Sequence, residues 1–175
     1  MRHIMKNAVI VSGGNINTDF ALDFLKKNTD ENTLLIAADR GLEFFEKTGL
    51  VPHIAVGDFD SLSESGRKFL ETLSNTEIIR LRPEKDDSDT QSAACLAMDR
   101  GMKRIMILGA TGNRVDHLMA NFGLLVLGRE RGCEIILADP WNYMKLIESG
   151  TVLKRSEQFG KYVSFFSIGG DVPGL

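Results

Sequence analysis

The chain has 175 residues, 43% hydrophobic and 26% charged, which is typical of one globular domain with a small extra unit. A net charge of −3 gives no sign of a nucleic-acid or anionic-membrane binder. No apolar run reaches the ~20 residues of a membrane span, and no secretion signal is visible. Cys95 and Cys133 lack metal-binding spacing and are predicted to be reduced thiols of a cytosolic, cytoplasmic protein.

Short apolar runs alternate with amphipathic stretches along most of the chain. The runs over residues 8–11, 34–38, 53–56, 77–81, 104–108 and 134–138 predict strands, most of them buried on both faces. Helices are predicted between them, with Thr18, Ser63 and Ser88 as N-caps. Ser88 and Gln91 match a capping box, and a helix over 115–127 precedes the last of these strands. The alternation predicts an α/β fold with a mostly parallel sheet and helices on both faces.

The pattern changes after residue 142. Runs over 144–147, 151–154 and 162–168 predict short strands without helices between them. We therefore expect an α/β nucleotide-binding domain over residues 1–142 and the beginning of an all-β sandwich domain over 143–175. Three strands are too few for an independent domain of that kind, so we expect the chain to be C-terminally truncated.

Two carboxylates follow the third predicted strand. Asp58 and Asp60 are two residues apart, and in extended backbone such residues point their side chains to the same side. Carboxylates that converge repel each other and need a cation, and Mg²⁺ is the natural choice for oxygen ligands. The alternative is an acidic turn whose aspartates bond their own backbone.

Every predicted strand ends in glycines or carboxylates, at the edge where open parallel sheets bind ligands. The residues concerned include Gly13, Gly14, Asp39, Asp86, Asp87, Asp89, Gly109, Gly112 and Asp139. Asp86 and Asp89 could join Asp58 and Asp60 around a metal. Alternatively, Asp89 only occupies the first turn of a helix, where a negative charge is favoured.

The loop from Gly109 to Arg114 joins a strand to a helix and could bind phosphate through its backbone N–H groups. It is neither a Walker loop nor a dinucleotide fingerprint, and a glycine turn without ligand is the alternative. Arg114 could hold phosphate in a bidentate manner or pair with Asp116 at the surface. His117 is predicted to be a packing or hydrogen-bonding residue rather than a base, and Trp141 and the phenylalanines are predicted to be core residues rather than a stacking platform.

Taken together, these motifs resemble the thiamine pyrophosphokinase family, in its bacterial branch. The resemblance covers residues 8–150. It rests on Asp39-Arg40-Gly41, Gly57-Asp58-Phe59-Asp60-Ser61, Glu84-Lys85-Asp86-Asp87-Ser88-Asp89 and Gly109-x-x-Gly112-x-Arg114-x-Asp116-His117, in the family's order, with Asp139 and Asn142 after them.

The resemblance implies an α/β domain followed by a β-sandwich, in a homodimer whose active site is completed by the partner's C-terminal domain. It implies Mg²⁺-dependent transfer of pyrophosphate from ATP to the hydroxyl of thiamine, releasing AMP. By resemblance, Asp58, Asp60 and Asp89 hold Mg²⁺, and Asp39, Lys85, Asp86, Arg114 and Asp116 lie near nucleotide or phosphate. Gly109 and Gly112 would hold phosphate oxygens, and Asp86 or Asp116 would orient the attacking hydroxyl.

Three alternatives to this reaction are compatible with the sequence. A metal-dependent phosphohydrolase would employ the acidic edge with water as the nucleophile. An ATP–Mg²⁺-binding module without catalysis fits a truncated chain. A purely structural α/β domain would show neither ATP–Mg²⁺ binding nor turnover, and the number of acidic strand ends argues against it.

Overall fold

The computed structural model describes residues 6–82, 87–112, 114–148, 150–167 and 170. Its strands are β1 (Asn7–Val11), β2 (Leu34–Ala38), β3 (Ile54–Gly57), β4 (Glu77–Arg80), β5 (Arg104–Leu108), β6 (Glu134–Ala138) and β7 (Tyr143–Lys145). They form one seven-stranded sheet in the order β4-β3-β2-β1-β5-β6-β7. All neighbours are parallel except β6 and β7, which are antiparallel. The predicted α/β fold with a mostly parallel sheet is confirmed.

Helices cover both faces of this sheet. They are α1 (Thr18–Asn28), α2 (Leu42–Thr48), α3 (Glu64–Thr72), α4 (Asp89–Asp99) and α5 (Val115–Glu130). The first three pack on the face that carries Val9 and Val11, and α4 and α5 pack on the face that carries Ala8 and Ile10. All four strand residues are fully buried because successive side chains enter different cores, which explains the uninterrupted apolar run.

Helix boundaries follow the capping chemistry closely. Ser63 and Ser88 accept hydrogen bonds from the third residue after them, as predicted for N-caps. The prediction of Thr18 as a cap is wrong, because the Asn17 side chain accepts from the Phe20 N–H and Thr18 begins the helix. The capping box at α4 is half formed, since the Gln91 side chain donates to Asp87. No helix in the described ranges combines the length and apolar character needed to cross a membrane.

The C-terminal segment differs from the predicted run of strands. β7 pairs with β6 and therefore extends the first sheet across residue 142. Residues 151–154 and the described part of 162–168 form no strand; a short 3-10 turn occupies Arg155–Glu157. β-branched and aromatic composition does not produce a strand without a pairing partner. The assignment of residues 143–175 to a β-sandwich domain stays a prediction.

Candidate functional site

The candidate site lies at the carboxyl edge of the sheet, where folds of this type bind their ligands. β1 is central, with β2 on one side and β5 on the other. The helices that follow β2 and β3 pack on one face of the sheet, whereas α4 and α5 pack on the opposite face. The loops after β1 and β5 consequently meet at the point where the strand order reverses.

An acidic cluster follows β2 and β3. One carboxylate oxygen each from Asp39, Asp58 and Asp60 can be chosen so that all three lie within 4.8 Å of one another. Asp39 and Asp58 are half-buried, and Asp60 is exposed. The expected convergence of Asp58 and Asp60 is therefore present. The third member is Asp39, which the sequence placed near nucleotide rather than metal.

Unusual backbone conformations shape this cluster. Asp39 has φ of 46° and Phe59 has φ of 62°, both in the left-handed region. Aspartate tolerates that region, whereas an aromatic residue adopts it at a cost of about 1–3 kcal/mol. Phe59 is held there because its ring is buried in the core and lies under the Arg80 guanidinium, 5.5 Å from the ring centroid. The turn thus places Asp58 and Asp60 on either side of a buried anchor.

Gly57 permits the close approach of the two acidic loops. A Cβ at Gly57 would lie 3.1 Å from the Asp39 Cα and 3.2 Å from its backbone nitrogen. Those backbone atoms cannot move without displacing β2, so a larger residue would push Asp39 away from Asp58.

The electrostatics of Asp39 fit a cation. Burial raises the pKa of Asp39, and the charges of Asp89 and Asp58 add to the increase, while hydrogen bonds from Ser61 and the Arg40 backbone oppose it. Ser61 donates to Oδ2. Oδ1 is buried and has no hydrogen-bond partner among the described residues. A buried carboxylate oxygen beside other carboxylates is a suitable ligand for a divalent ion, so these residues fit Mg²⁺.

The turn alternative for Asp58 is also present, and it does not compete with the metal role. Asp58 Oδ1 accepts the Asp60 N–H at 3.1 Å, and the Asp60 carbonyl accepts from Arg67 at 2.8 Å. These bonds hold the loop in shape, and the second oxygen of Asp58 is not needed for them.

Asp89 approaches the cluster from α4, whose first residue it is. Its charge raises the pKa of Asp39, although Asp89 is not one of the three residues whose oxygens lie within 4.8 Å. Its metal role stays a prediction. Lys85 and Asp86 lie outside the described residues.

The glycine loops after β1 and β5 interlock. The Gly14 N–H donates to the Gly109 carbonyl at 3.1 Å, and a Cβ at Gly14 would lie 2.2 Å from that oxygen. Gly109 has φ of 70° and would also bring a Cβ within 2.6 Å of the Ser12 carbonyl. Gly112 lies against the Gly14 Cα. Glycine at these positions lets two loops come together at the switch point, as a phosphate-binding edge requires.

Arg114 and Asp116 form an exposed ion pair, with Nε and Nη2 donating at 3.2 and 2.5 Å. The hydrogen bond with Arg114 lowers the pKa of Asp116. This arrangement corresponds to the surface-pair alternative; their roles toward phosphate and the substrate hydroxyl stay predictions. His117 is exposed and does not pack in the core.

Asp139 organises the turn between β6 and β7. Its carboxylate accepts from the backbone N–H groups of Trp141 and Asn142 and from the Asn142 side chain. Burial alone would raise the pKa of Asp139, but these bonds and one from Thr111 lower it overall. The prediction that Trp141 is a core residue is wrong, since 82% of it is exposed at this turn.

Sequence reasoning missed three contacts of the site: Asp39 in the acidic cluster, Ser61 bonded to Asp39, and Ser12 bonded to Thr90. The signals for Asp39 were its place directly after a strand and the Asp39-Arg40-Gly41 motif, and neither gives its distance from Asp58 and Asp60. Which strand lies beside β3 cannot be read from local patterns.

Comparisons with known proteins identify a family that this chain matches. Residues 25–137 match the family described as "Thiamin pyrophosphokinase, catalytic domain". A curated relative from Bacillus subtilis (strain 168), named thiamine pyrophosphokinase, is 32% identical over 168 residues, which are 96% of this chain and 77% of the relative.

Solved structures show the same similarity. A thiamine pyrophosphokinase from Bacillus subtilis superposes with a TM-score of 0.69 at 33% identity, covering 80% of this chain and 64% of that one. A thiamin pyrophosphokinase from Geobacillus thermodenitrificans gives 0.66 at 29% identity, covering 79% and 62%. This chain thus spans a little under two thirds of the length of these two solved relatives.

Proposed function

We propose that this chain, which belongs to the thiamin pyrophosphokinase family and contains its catalytic domain, transfers a pyrophosphoryl group from ATP to the hydroxyl of thiamine. The products are thiamine diphosphate and AMP. The observation that carries the proposal is the cluster of Asp39, Asp58 and Asp60 at the switch-point edge, in a chain of this family.

The acidic cluster is the proposed Mg²⁺ site. Asp39 would offer its buried Oδ1, and Asp58 and Asp60 would offer one oxygen each, with Asp89 reaching in from α4. When bound, Mg²⁺ supplies positive charge to the polyphosphate oxygens as the bond to the leaving group breaks. The turn around Phe59 keeps Asp58 and Asp60 in place, so little reorganisation accompanies binding.

The neighbouring loops would hold the nucleotide. Backbone N–H groups from Gly109 to Gly112, with Arg114 and Lys85, would bind the phosphate oxygens outside the metal. Arg114 would have to exchange Asp116 for phosphate, which is feasible because both side chains are exposed. Asp86 or Asp116 would orient the thiamine hydroxyl for attack on the β-phosphorus, a choice of atom that depends on placement.

We further propose a cytoplasmic homodimer in which the C-terminal domain of the second copy completes the thiamine pocket. The apolar side chains that residues 152–166 expose support this, including Val152, Tyr162 and Phe166 at 80%, 91% and 85%. Sedimentation analysis should then give twice the monomer mass, and a monomer with full turnover would contradict the shared pocket.

Product analysis tests the reaction. Protein incubated with ATP, Mg²⁺ and thiamine should form AMP and thiamine diphosphate in equal amounts, and AMP should not form when thiamine is omitted. A phosphohydrolase would instead release inorganic phosphate or pyrophosphate without thiamine. An ATP–Mg²⁺-binding module would bind nucleotide in calorimetry without forming any product.

Asp60→Asn tests the metal site directly. Loss of one preorganised charge should lower kcat at least ~100-fold with Mg²⁺ in excess. The matched control is Asp23→Asn, which changes an exposed aspartate of α1 that pairs only locally with Lys27. Turnover of Asp60→Asn close to that of the control would remove Asp60 from the site.

A further inference from the structure

Two buried hydroxyl groups connect the loop after β1 with the start of α4. Ser12 Oγ and Thr90 Oγ1 lie 2.5 Å apart, and the two residues are 7% and 8% exposed. They are 78 residues apart in sequence, so only the fold brings them together. Neither residue belongs to the motifs on which the family resemblance rests.

Each member of this pair is attached to a different part of the site. The Ser12 N–H donates to the Leu108 carbonyl at 2.8 Å, which ties it to the end of β5. Thr90 directly follows Asp89 in the first turn of α4. The hydroxyl contact therefore joins the crevice between β1 and β5 to the turn that carries Asp89.

The rest of the α4 interface is apolar and therefore not directional. Buried Ala93, Ala94 and Ala97 let the helix lie close to the sheet, and Met98 packs at its C-terminal end, far from Asp89. Small, smooth side chains fill space but do not interdigitate deeply. A hydrogen bond is directional, so the Ser12–Thr90 contact defines where along its axis α4 rests.

We propose that the Ser12–Thr90 pair is a positioning device that holds Asp89 at the distance from Asp39 needed to complete the Mg²⁺ site. Asp89 and Thr90 are consecutive residues in the first turn of α4, so a contact that fixes Thr90 also fixes Asp89. Neither Ser12 nor Thr90 contacts substrate in this role; each works through the position of Asp89. The kinetic part of the test rests on the proposed function, and the binding part does not.

The test compares Thr90→Val and Ser12→Ala with wild type in two measurements. Calorimetry gives the Mg²⁺ dependence of binding of α,β-methylene-ATP, and kinetics give the Mg²⁺ concentration at half-maximal rate and the KM for thiamine. We expect the Mg²⁺ requirement to rise about tenfold or more in both measurements, because small displacements of a ligand are costly, while the KM for thiamine stays within ~2-fold. Thr90→Ser, which keeps the hydroxyl, should restore wild-type behaviour.

Thr76→Val is the matched structural control. Thr76 is also buried, at 9% exposure, and its hydroxyl donates to the Pro52 carbonyl at 2.7 Å, before β4 and away from the carboxyl edge. This variant should lose thermal stability comparably but keep the wild-type Mg²⁺ dependence. The double variant Ser12→Ala/Thr90→Val should be no worse than the more severe single variant, because both changes remove one interaction.

The outcomes separate this inference from the proposed function. The positioning role would be overturned by an unchanged Mg²⁺ dependence in Thr90→Val, or by an equal change in Thr76→Val. The proposed function would be unaffected by that result as long as wild type makes thiamine diphosphate. If wild type made no thiamine diphosphate, the proposed function would fail, and calorimetry would still decide the positioning role. Wild type that bound the nucleotide analogue without regard to Mg²⁺ would overturn the inference.

Discussion

Asp39 is the residue on which the electrostatics of the acidic cluster depend. Its Oδ2 accepts the Ser61 hydroxyl, and its Oδ1 is buried without a hydrogen-bond partner in the described part of the chain. Ser61 therefore fixes the rotation of the carboxylate and leaves one oxygen for a ligand. The raised pKa of Asp39 shows that this arrangement costs stability when no cation is present.

Asp39→Asn should make the metal-free protein more stable at neutral pH while removing activity. The amide oxygen can still accept from Ser61, and the repulsion from Asp89 and Asp58 disappears. We expect Tm to rise by a few degrees near pH 7 without divalent ions. The control Asp23→Asn should not show this gain.

The pH dependence of that gain has a defined sign. A carboxyl whose folded pKa lies above its ordinary value of 3.8 binds protons more tightly in the folded state. The charged carboxylate lowers the free energy of unfolding by its full amount when the pH is above the pKa of the folded state. This loss of stability disappears as the pH falls to the pKa of the unfolded state. The Tm difference between Asp39→Asn and wild type should therefore shrink toward zero as the pH falls to about 4, and a difference that grew would contradict the assigned cause.

Arg114 allows a surface ion pair to be distinguished from a phosphate ligand. Arg114→Ala should leave Tm within ~1 °C, because exposed pairs contribute little. If the guanidinium binds phosphate, loss of a charge-assisted hydrogen bond should raise the KM for ATP about tenfold. Arg131→Ala, which breaks a pair with Asp99 on the surface, is the control and should leave the KM for ATP unchanged.

At the scale of elements, glycines allow the loops of the site to interlock. Gly41 ends the 3-10 turn Asp39–Gly41, and a Cβ there would lie 1.8 Å from the Val11 carbonyl. That carbonyl belongs to the central strand of the sheet, so it cannot yield. Along the edge, the glycine loops after β1 and β5 lie between the acidic residues after β2 and β3 on one side and Asp139 after β6 on the other. The glycines let the backbones of neighbouring loops approach each other.

Gly41→Ala should lower stability by at least ~2 kcal/mol, the scale of overpacking in a rigid interior, and Tm by about 4–8 °C. Gly123→Ala is the matched control, because Gly123 is exposed on α5 and a methyl group added there would have nothing within 4 Å of it. That change should raise Tm by about 2–4 °C through helix propensity. Thermal unfolding followed by circular dichroism measures both changes in Tm. An unchanged Tm in Gly41→Ala would mean that the turn at Gly41 can move away from β1.

At the scale of the whole molecule, Phe159 connects the C-terminal segment to the α/β unit through contacts with two aromatic rings. Phe159 stacks on Tyr143 with ring centroids 5.5 Å apart and meets the edge of Phe20 at 6.2 Å. Since Tyr143 lies in β7 and Phe20 in α1, the contact covers the end of the sheet next to the β6–β7 turn. The segment is attached here although residues 151–167 form no strand.

Phe159→Ala should release that attachment. Loss of the two aromatic contacts should cost about 1–2 kcal/mol and speed tryptic cleavage at Lys154 and Arg155. Phe166→Ala is the control, because that ring is 85% exposed and should not affect either measurement. Equal cleavage rates for the two variants would show that Phe159 does not anchor the segment.

The sequence alone determined the local features of this protein. Short apolar runs and helical patterns located the described strands and helices of the α/β unit, and Ser63 and Ser88 marked helix starts, because these signals arise from residues close in sequence. Gly57 to Ser61 and the other motifs indicated the family.

Only the tertiary structure decided which residues meet. The strand order put β2 beside β3, and so placed Asp39 rather than Asp89 within 4.8 Å of Asp58 and Asp60. It also brought Ser12 to Thr90, and it turned residues 143–145 into an antiparallel edge strand of the first sheet. The physical reason is that strand pairing and helix packing join residues distant in sequence, and their free energy depends on neighbours that a local pattern does not contain.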